Sequence, residues 1–239
     1  MFSTPSSRTT LFALFAFASL SIPLCQSTYA DPAPAAPSSV AVTPADKYNP
    51  AQTPVAILPV INQTKGAWDD LKARENEKGK QELVLRFREH GFPLVEDALI
   101  AKSLSDLGVN PQDMAHQAPD TLTKPETLSK IGQAVNARLI VLLVITDTRS
   151  GSHFNLLGGF HKEGGATVKL WLVDAPEDRA LLSGVTKSSK SSGSGGLVEM
   201  AGTGGSSLSI RAIGGATTTA LNQFIKPYPF VKAKDDKDH

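Results

Sequence analysis

The chain has 239 residues, 41% of them hydrophobic, and a formal charge of +1 from 24 basic and 23 acidic residues. That balance argues against the basic footprint of a nucleic-acid or anionic-membrane binder, and the length suits one domain with appendages. The single cysteine, Cys25, lies in the first thirty residues, so a mature chain without them can hold neither a disulfide nor a thiolate metal site.

Residues 1–30 read as a cleavable signal peptide. Arg8 supplies a positive flank, Leu11 to Leu24 form an apolar run, and Thr28-Tyr29-Ala30 offers small residues at a cleavage position. The run holds about 14 residues and is broken by Pro23, short of the roughly 20 that a spanning helix needs. Leu24 precedes Cys25 where a lipid-attachment site wants a small residue, so lipid anchoring is not expected. Removing Arg8 with this segment leaves 23 basic and 23 acidic residues.

Residues 31–54 are rich in Pro, Ala and Ser and read as a flexible linker; 231–239 are almost all charge and read as a solvated tail. Between them, 55–230 is the expected folded domain. Val55 to Val60 is a short apolar run suited to a buried strand, and Asp69 to His90 is expected as a helix. The first half of that helix is charged and should extend past the core; Leu83, Val84 and Phe87 mark its buried face, and Gly91 its stop. Phe92 to Glu96 reads as a second strand, with Pro93 placing it at an edge or a strand beginning. Asp97 is expected to cap a helix carrying Leu99, Ile100, Leu104 and Leu107. Thr123 to Val135 is a further helix, with Leu128, Ile131 and Val135 inward.

Arg138 to Asp147 is the most apolar stretch of the mature chain and reads as a central strand covered on both faces. Thr167 to Asp174 alternates, Ala175 to Arg179 is a turn, and Ala180 to Ser188 returns as the antiparallel partner. Lys187 to Ser207 reads as a Gly/Ser-rich loop, followed by an amphipathic helix from Ile210 to Phe224 that Pro227 closes. The fold class is therefore α/β, a mixed sheet in β-α-β-α-α-β-β-β-α order with packed helices.

Four stretches, VAILPV, HGFPLVED, GQAVNARLIVLLVITD and VKLWLVDAPEDRALLSG, resemble a superfamily of bacterial envelope proteins. It includes the curli-secretion protein CsgG, the amino-terminal domain of TolB and the penicillin-binding-protein activator LpoB. The likeness covers roughly residues 55–226; Asn136-Ala137-Arg138 stands where the family usually has an acidic residue, and no lipobox is present. The resemblance implies a TolB amino-terminal-domain-like fold and a non-enzymatic envelope module that binds other proteins or itself. Pore-forming members insert hairpins of about 9 to 11 alternating residues per strand; neither Arg149 to Gly165 nor Lys187 to Ser207 offers that pattern.

Catalytic signatures are absent. There is no G-x-S-x-G elbow, no P-loop and no complete G-x-G-x-x-G after a strand, so no cofactor is expected. Asp69, Asp70, Glu75 and Glu77 alternate with Lys72, Arg74, Lys78 and Lys80 and read as a solvated helix face. Gly193, Gly195, Gly196, Gly202, Gly204 and Gly205 precede the last helix, and Gly204, Gly205 and Ser206 are the candidate backbone anion site at its amino end. His153 and His161, with Glu163 or His116 as a third ligand, match no zinc spacing, so no metal is expected. Asn62-Gln63-Thr64 is a glycosylation sequon.

The segment SHFNLLGGFHK is too apolar for idle exposure. His153, Phe154, Leu157, Phe160 and His161 are therefore the candidate partner-binding residues, the alternative being that Phe154, Leu157 and Phe160 extend the neighbouring hairpin. The functional expectation is an exported protein, periplasmic or outer-envelope associated. It would act through an envelope partner or self-association, with no nucleic acid and no transmembrane segment in the mature chain; the rival reading is a secreted hydrolase or small-ligand enzyme.

Overall fold

The computed structural model describes residues 47–109, 122–155, 159–195 and 204–231. Its centre is a five-stranded mixed sheet. Two short strands, β1 (Val55–Ile57) and β2 (Ile61–Asn62), both lie parallel to β3 (Leu139–Asn155); β3 pairs antiparallel with β4 (Gly159–Asp174), and β4 with β5 (Arg179–Gly195). Four helices complete the fold: α1 (Asp69–Glu89), α2 (Asp97–Asp106), α3 (Pro125–Ala134) and α4 (Gly204–Ile225).

The unbroken apolar run of β3 follows from burial on both faces. Leu139, Val141, Leu143 and Ile145 join the core beneath α1 and α4, whereas Ile140, Leu142 and Val144 join a second core beneath α2 and α3. Burying such a set removes enough apolar surface to dominate the folding energy. α1 can lie close to the sheet because residue 79 is glycine: a Cβ there would stand 2.8 Å from the Leu143 side chain.

The α/β class with a mixed sheet holds, whereas the element order becomes β-β-α-α-α-β-β-β-α, and each correction has a physical cause. The first strand breaks into two at Pro59, and the folded unit starts earlier than Val55. Tyr48 is 2% exposed and packs edge-on against Phe224, and a 3-10 turn over Pro50–Gln52 leads into β1. Residues 47–54 thus form a strap across the core rather than the end of a flexible linker. Phe92 to Glu96 makes a single bridge, Val55 to Leu94, at the edge of β1, because the chain turns into α2 almost at once. Glu96, not Asp97, is the N-cap of α2, and Asp97 pairs with Lys80. Leu99 and Leu107 are exposed; α2 buries Ile100, Ser103 and Leu104, which share one face at i, i+3, i+4 spacing.

Lys187 to Gly195 is strand rather than loop. Its serines and glycines pair residue for residue with β4, from Lys187 opposite Val168 to Gly195 opposite Phe160. The final helix starts at Gly204, well before Ile210. Close approach permits this: a Cβ on Gly164 of β4 would lie 2.3 Å from the Leu208 carbonyl carbon. No helix among the described residues is long and apolar enough to cross a membrane.

Candidate functional site

The expected partner-binding segment forms the far end of the long β3–β4 hairpin. Phe154 pairs with Phe160 and His153 with His161 in one continuous register, so the extension of the hairpin weighed as the alternative is present; Leu157 lies outside the described residues. The strands run on past the row Ser150–Gly164–Ser191, where α4 rests on the sheet through Leu208. From Ser150 to Asn155 is roughly 17 Å of strand, and the turn of α4 before Leu208 can accompany about 6 Å of it. A three-stranded ribbon therefore reaches beyond the helices, and its tip is the most apolar part of its sequence.

The other expected site residues fall as follows. Gly204, Gly205 and Ser206 lie in the first turn of α4 rather than in a loop before it. Gly193 and Gly195 sit in β5, while Gly196, Gly202 and His116 lie outside the described residues. Glu163 is exposed and pairs with Gly151 and Ser192 across the ribbon. No group of three metal-ligating side chains occurs among the described residues. A surface groove of about 580 Å³ runs along α1 toward the start of α2. Much of its charge is already paired, Lys78 with Glu82 and Lys80 with Asp97.

One of the acidic residues assigned to a solvated face is buried. Glu75 is 0% exposed and accepts a hydrogen bond of 2.8 Å from the Asn62 amide, whose oxygen in turn accepts from the Thr64 N–H and hydroxyl. The sequon asparagine is thereby enclosed, so in the folded protein its amide is not available for a glycan. Asn62→Ala should cost about 2 kcal/mol, because it leaves a buried carboxyl and the Thr64 donors without partners; urea midpoints of the two proteins check this.

A second buried carboxyl, Glu82, joins α1 to α4. Burial pushes it up, but the Thr218 hydroxyl at 2.6 Å and the cations Lys78 and Arg86 outweigh burial and hold it below its ordinary value. A depressed folded value means the stabilisation is present at neutral pH and is lost as the pH falls through the carboxylate range. Glu82→Gln should therefore flatten the loss of stability between about pH 5 and pH 2, read from denaturant midpoints at each pH.

Sequence reasoning missed a charged cluster at the β4–β5 turn. Asp174 is 0% exposed; its Oδ2 accepts the Tyr48 hydroxyl at 2.6 Å and lies 3.5 Å from Arg138 Nη2 and 3.7 Å from Lys47 Nζ. Burial first, and then the Asp174 hydrogen bond, hold the Tyr48 phenol above its ordinary range. Arg138 and Lys47 also stand over the Tyr48 ring, at 5.4 and 5.7 Å from its centroid. Residues from positions 47, 138 and 174 carry no common spacing, so only the apolar-polar switch at Val173-Asp174 hinted at the site.

No family model matches the chain, and no curated protein matches it. Solved structures with a similar arrangement include lipoprotein GNA1162 from Neisseria meningitidis, at 14% identity and a TM-score of 0.40, covering 72% of this chain and 96% of that one. The LpoB C-terminal domain from Salmonella enterica is similar at 15% identity and a TM-score of 0.37, covering 63% of this chain and 87% of that one. The protein CT253 from Chlamydia trachomatis is similar at 14% identity and a TM-score of 0.38, covering 74% and 95%. At these values the likeness carries no inference about activity or partner.

Proposed function

We propose that this chain is an exported, non-enzymatic cell-envelope protein whose α/β domain is a protein-interaction or assembly module, with the β3–β4 tip as its contact surface. The reading draws on the signal-like first thirty residues and on the absence of a catalytic motif in the sequence. One observation carries it: a core closed by helices on both faces sends out a ribbon whose Phe154–Phe160 end is more apolar than its stem. An apolar pair at the end of an otherwise polar stretch of sequence is the composition of a surface that a partner covers.

The test is site-directed photo-crosslinking in the native envelope from position 155, beside the paired phenylalanines. A discrete adduct is expected, lost when Phe154 and Phe160 are both alanine while the melting temperature stays within about 2 °C. An adduct that survives both alanines, or alanines that unfold the domain, would sink the assignment of the tip as contact surface.

A further inference from the structure

The β4–β5 turn holds an arrangement that neither the core nor the hairpin tip requires. Glu177 projects from this turn into the midst of three cations. Lys47 hydrogen-bonds it, Arg138 Nη2 stands 3.5 Å from Oε1, and Arg179 Nε stands 3.7 Å from Oε2. The cations come from three separate stretches of chain, the strap, the start of β3 and the start of β5, so the convergence is a product of folding. The Lys47 hydrogen bond, against some desolvation, holds the Glu177 carboxyl below its ordinary value.

Donor capacity is left over. Arg138 Nε and both Nε and Nη2 of Arg179 are shielded from solvent and make no hydrogen bond among the described residues, while the Arg179 guanidinium also interacts with the Tyr48 hydroxyl. A guanidinium fork is shaped to give a carboxylate two parallel hydrogen bonds, and Glu177 reaches these forks only at ion-pair distance. The occupant sets the ligand class: Glu177 places a carboxylate among these cations. Buried Asp174 offsets one of the three cations, so the group carries +2 before Glu177 is counted, and one carboxylate leaves it at +1.

We propose that Lys47, Arg138 and Arg179 form a carboxylate-binding site that Glu177 fills in the free protein and that an acidic peptide segment of a partner takes over by displacing Glu177. This site lies at the opposite end of β4 from the Phe154–Phe160 tip and does not depend on the tip's role. Glu177 acts as an internal competitor, held at high effective concentration by the turn.

The experiment titrates a hexaglutamate peptide into the purified full chain and into its Glu177→Ala variant by calorimetry at fixed ionic strength. Removing an internal ligand that fills the site nine times in ten should tighten binding about tenfold. Adding Arg179→Gln to Glu177→Ala should abolish it, with a thermal melt confirming the fold. Lys47→Gln, on the partly exposed strap, replaces Arg179→Gln if that variant does not fold. Equal affinity of the full chain and Glu177→Ala would overturn the proposal, as would retained binding without the second cation. Inorganic phosphate displacing the peptide at equal concentration would also overturn it, by making this a general anion site.

Discussion

Valine at Gly164 should lower the melting temperature by roughly 6 to 12 °C, whereas valine at Gly165, one residue on, should leave it nearly unchanged. The two glycines are neighbours in β4 and face opposite sides of the sheet. On the Gly164 side a Cβ would meet the backbone of α4, 2.3 Å from the Leu208 carbonyl carbon and 2.5 Å from the Ser209 nitrogen. Backbone cannot rotate away as a side chain can, so the helix must lift from the sheet. Overpacking of this kind costs about 3 kcal/mol. On the Gly165 side the nearest atoms are 3.8 Å away, an ordinary contact. Valine also suits a strand better than glycine does, which offsets any small loss there. Thermal melts of the two single variants decide the matter; equal shifts would mean that α4 does not sit on β4 as described.

Asp174→Ala should cost about 3 kcal/mol and move the titration of one tyrosine. The loss follows from what remains behind: a buried Tyr48 hydroxyl without its acceptor, and the Arg138 guanidinium without the carboxylate beneath it. The cost is set toward the lower end of the range for broken buried pairs because Arg138 retains solvent contact and Glu177 stays nearby.

Tyr48 reports on the same site. Its folded value is raised, by burial first and by Asp174 next, so its contribution to stability is full below the ordinary phenol range and is lost as the pH rises through the folded value. In Asp174→Ala the phenol should ionise at lower pH, seen as an earlier rise in tyrosinate absorbance. Tyr48→Phe should flatten the loss of stability above about pH 10. An unchanged tyrosinate curve in Asp174→Ala would show that Asp174 does not hold the phenol proton.

Local signals were legible where one segment alone carries the physics. The 3.6-residue spacing of Leu128, Ile131 and Val135 was sufficient to fix α3 with its buried face, and that of Leu83 and Phe87 the second half of α1. The first half of α1, expected to extend past the core, instead buries Glu75 and Gly79, because the glycine lets the helix lie against Leu143. The run from Leu139 to Ile145 named the central strand, since only a strand covered on both sides tolerates such a composition. Legibility failed where partners decide the outcome. Leu99 has the same intrinsic preference as Leu104, and only the position of α3 puts one outside and the other inside. The serines and glycines of 187–195 have weak strand preference, yet β4 beside them supplies the ladder.

The candidate sites divide in the same way. Phe154 and Phe160 stood out in the sequence because apolar residues between glycines are conspicuous anywhere, though their pairing across the hairpin was one of two readings. Of the Asp174 and Glu177 cluster only the switch from apolar to polar at Val173-Asp174 showed. Its members are separated by up to 132 residues, from Lys47 to Arg179, and nothing in the chain relates them until the strap, β3 and the β4–β5 turn are brought together. What the sequence determined by itself is the class of fold, through periodicity and burial preference, which act over a few residues. What only the tertiary structure decided is which buried charges meet, because electrostatic partnership depends on distance in space and leaves no period along the chain.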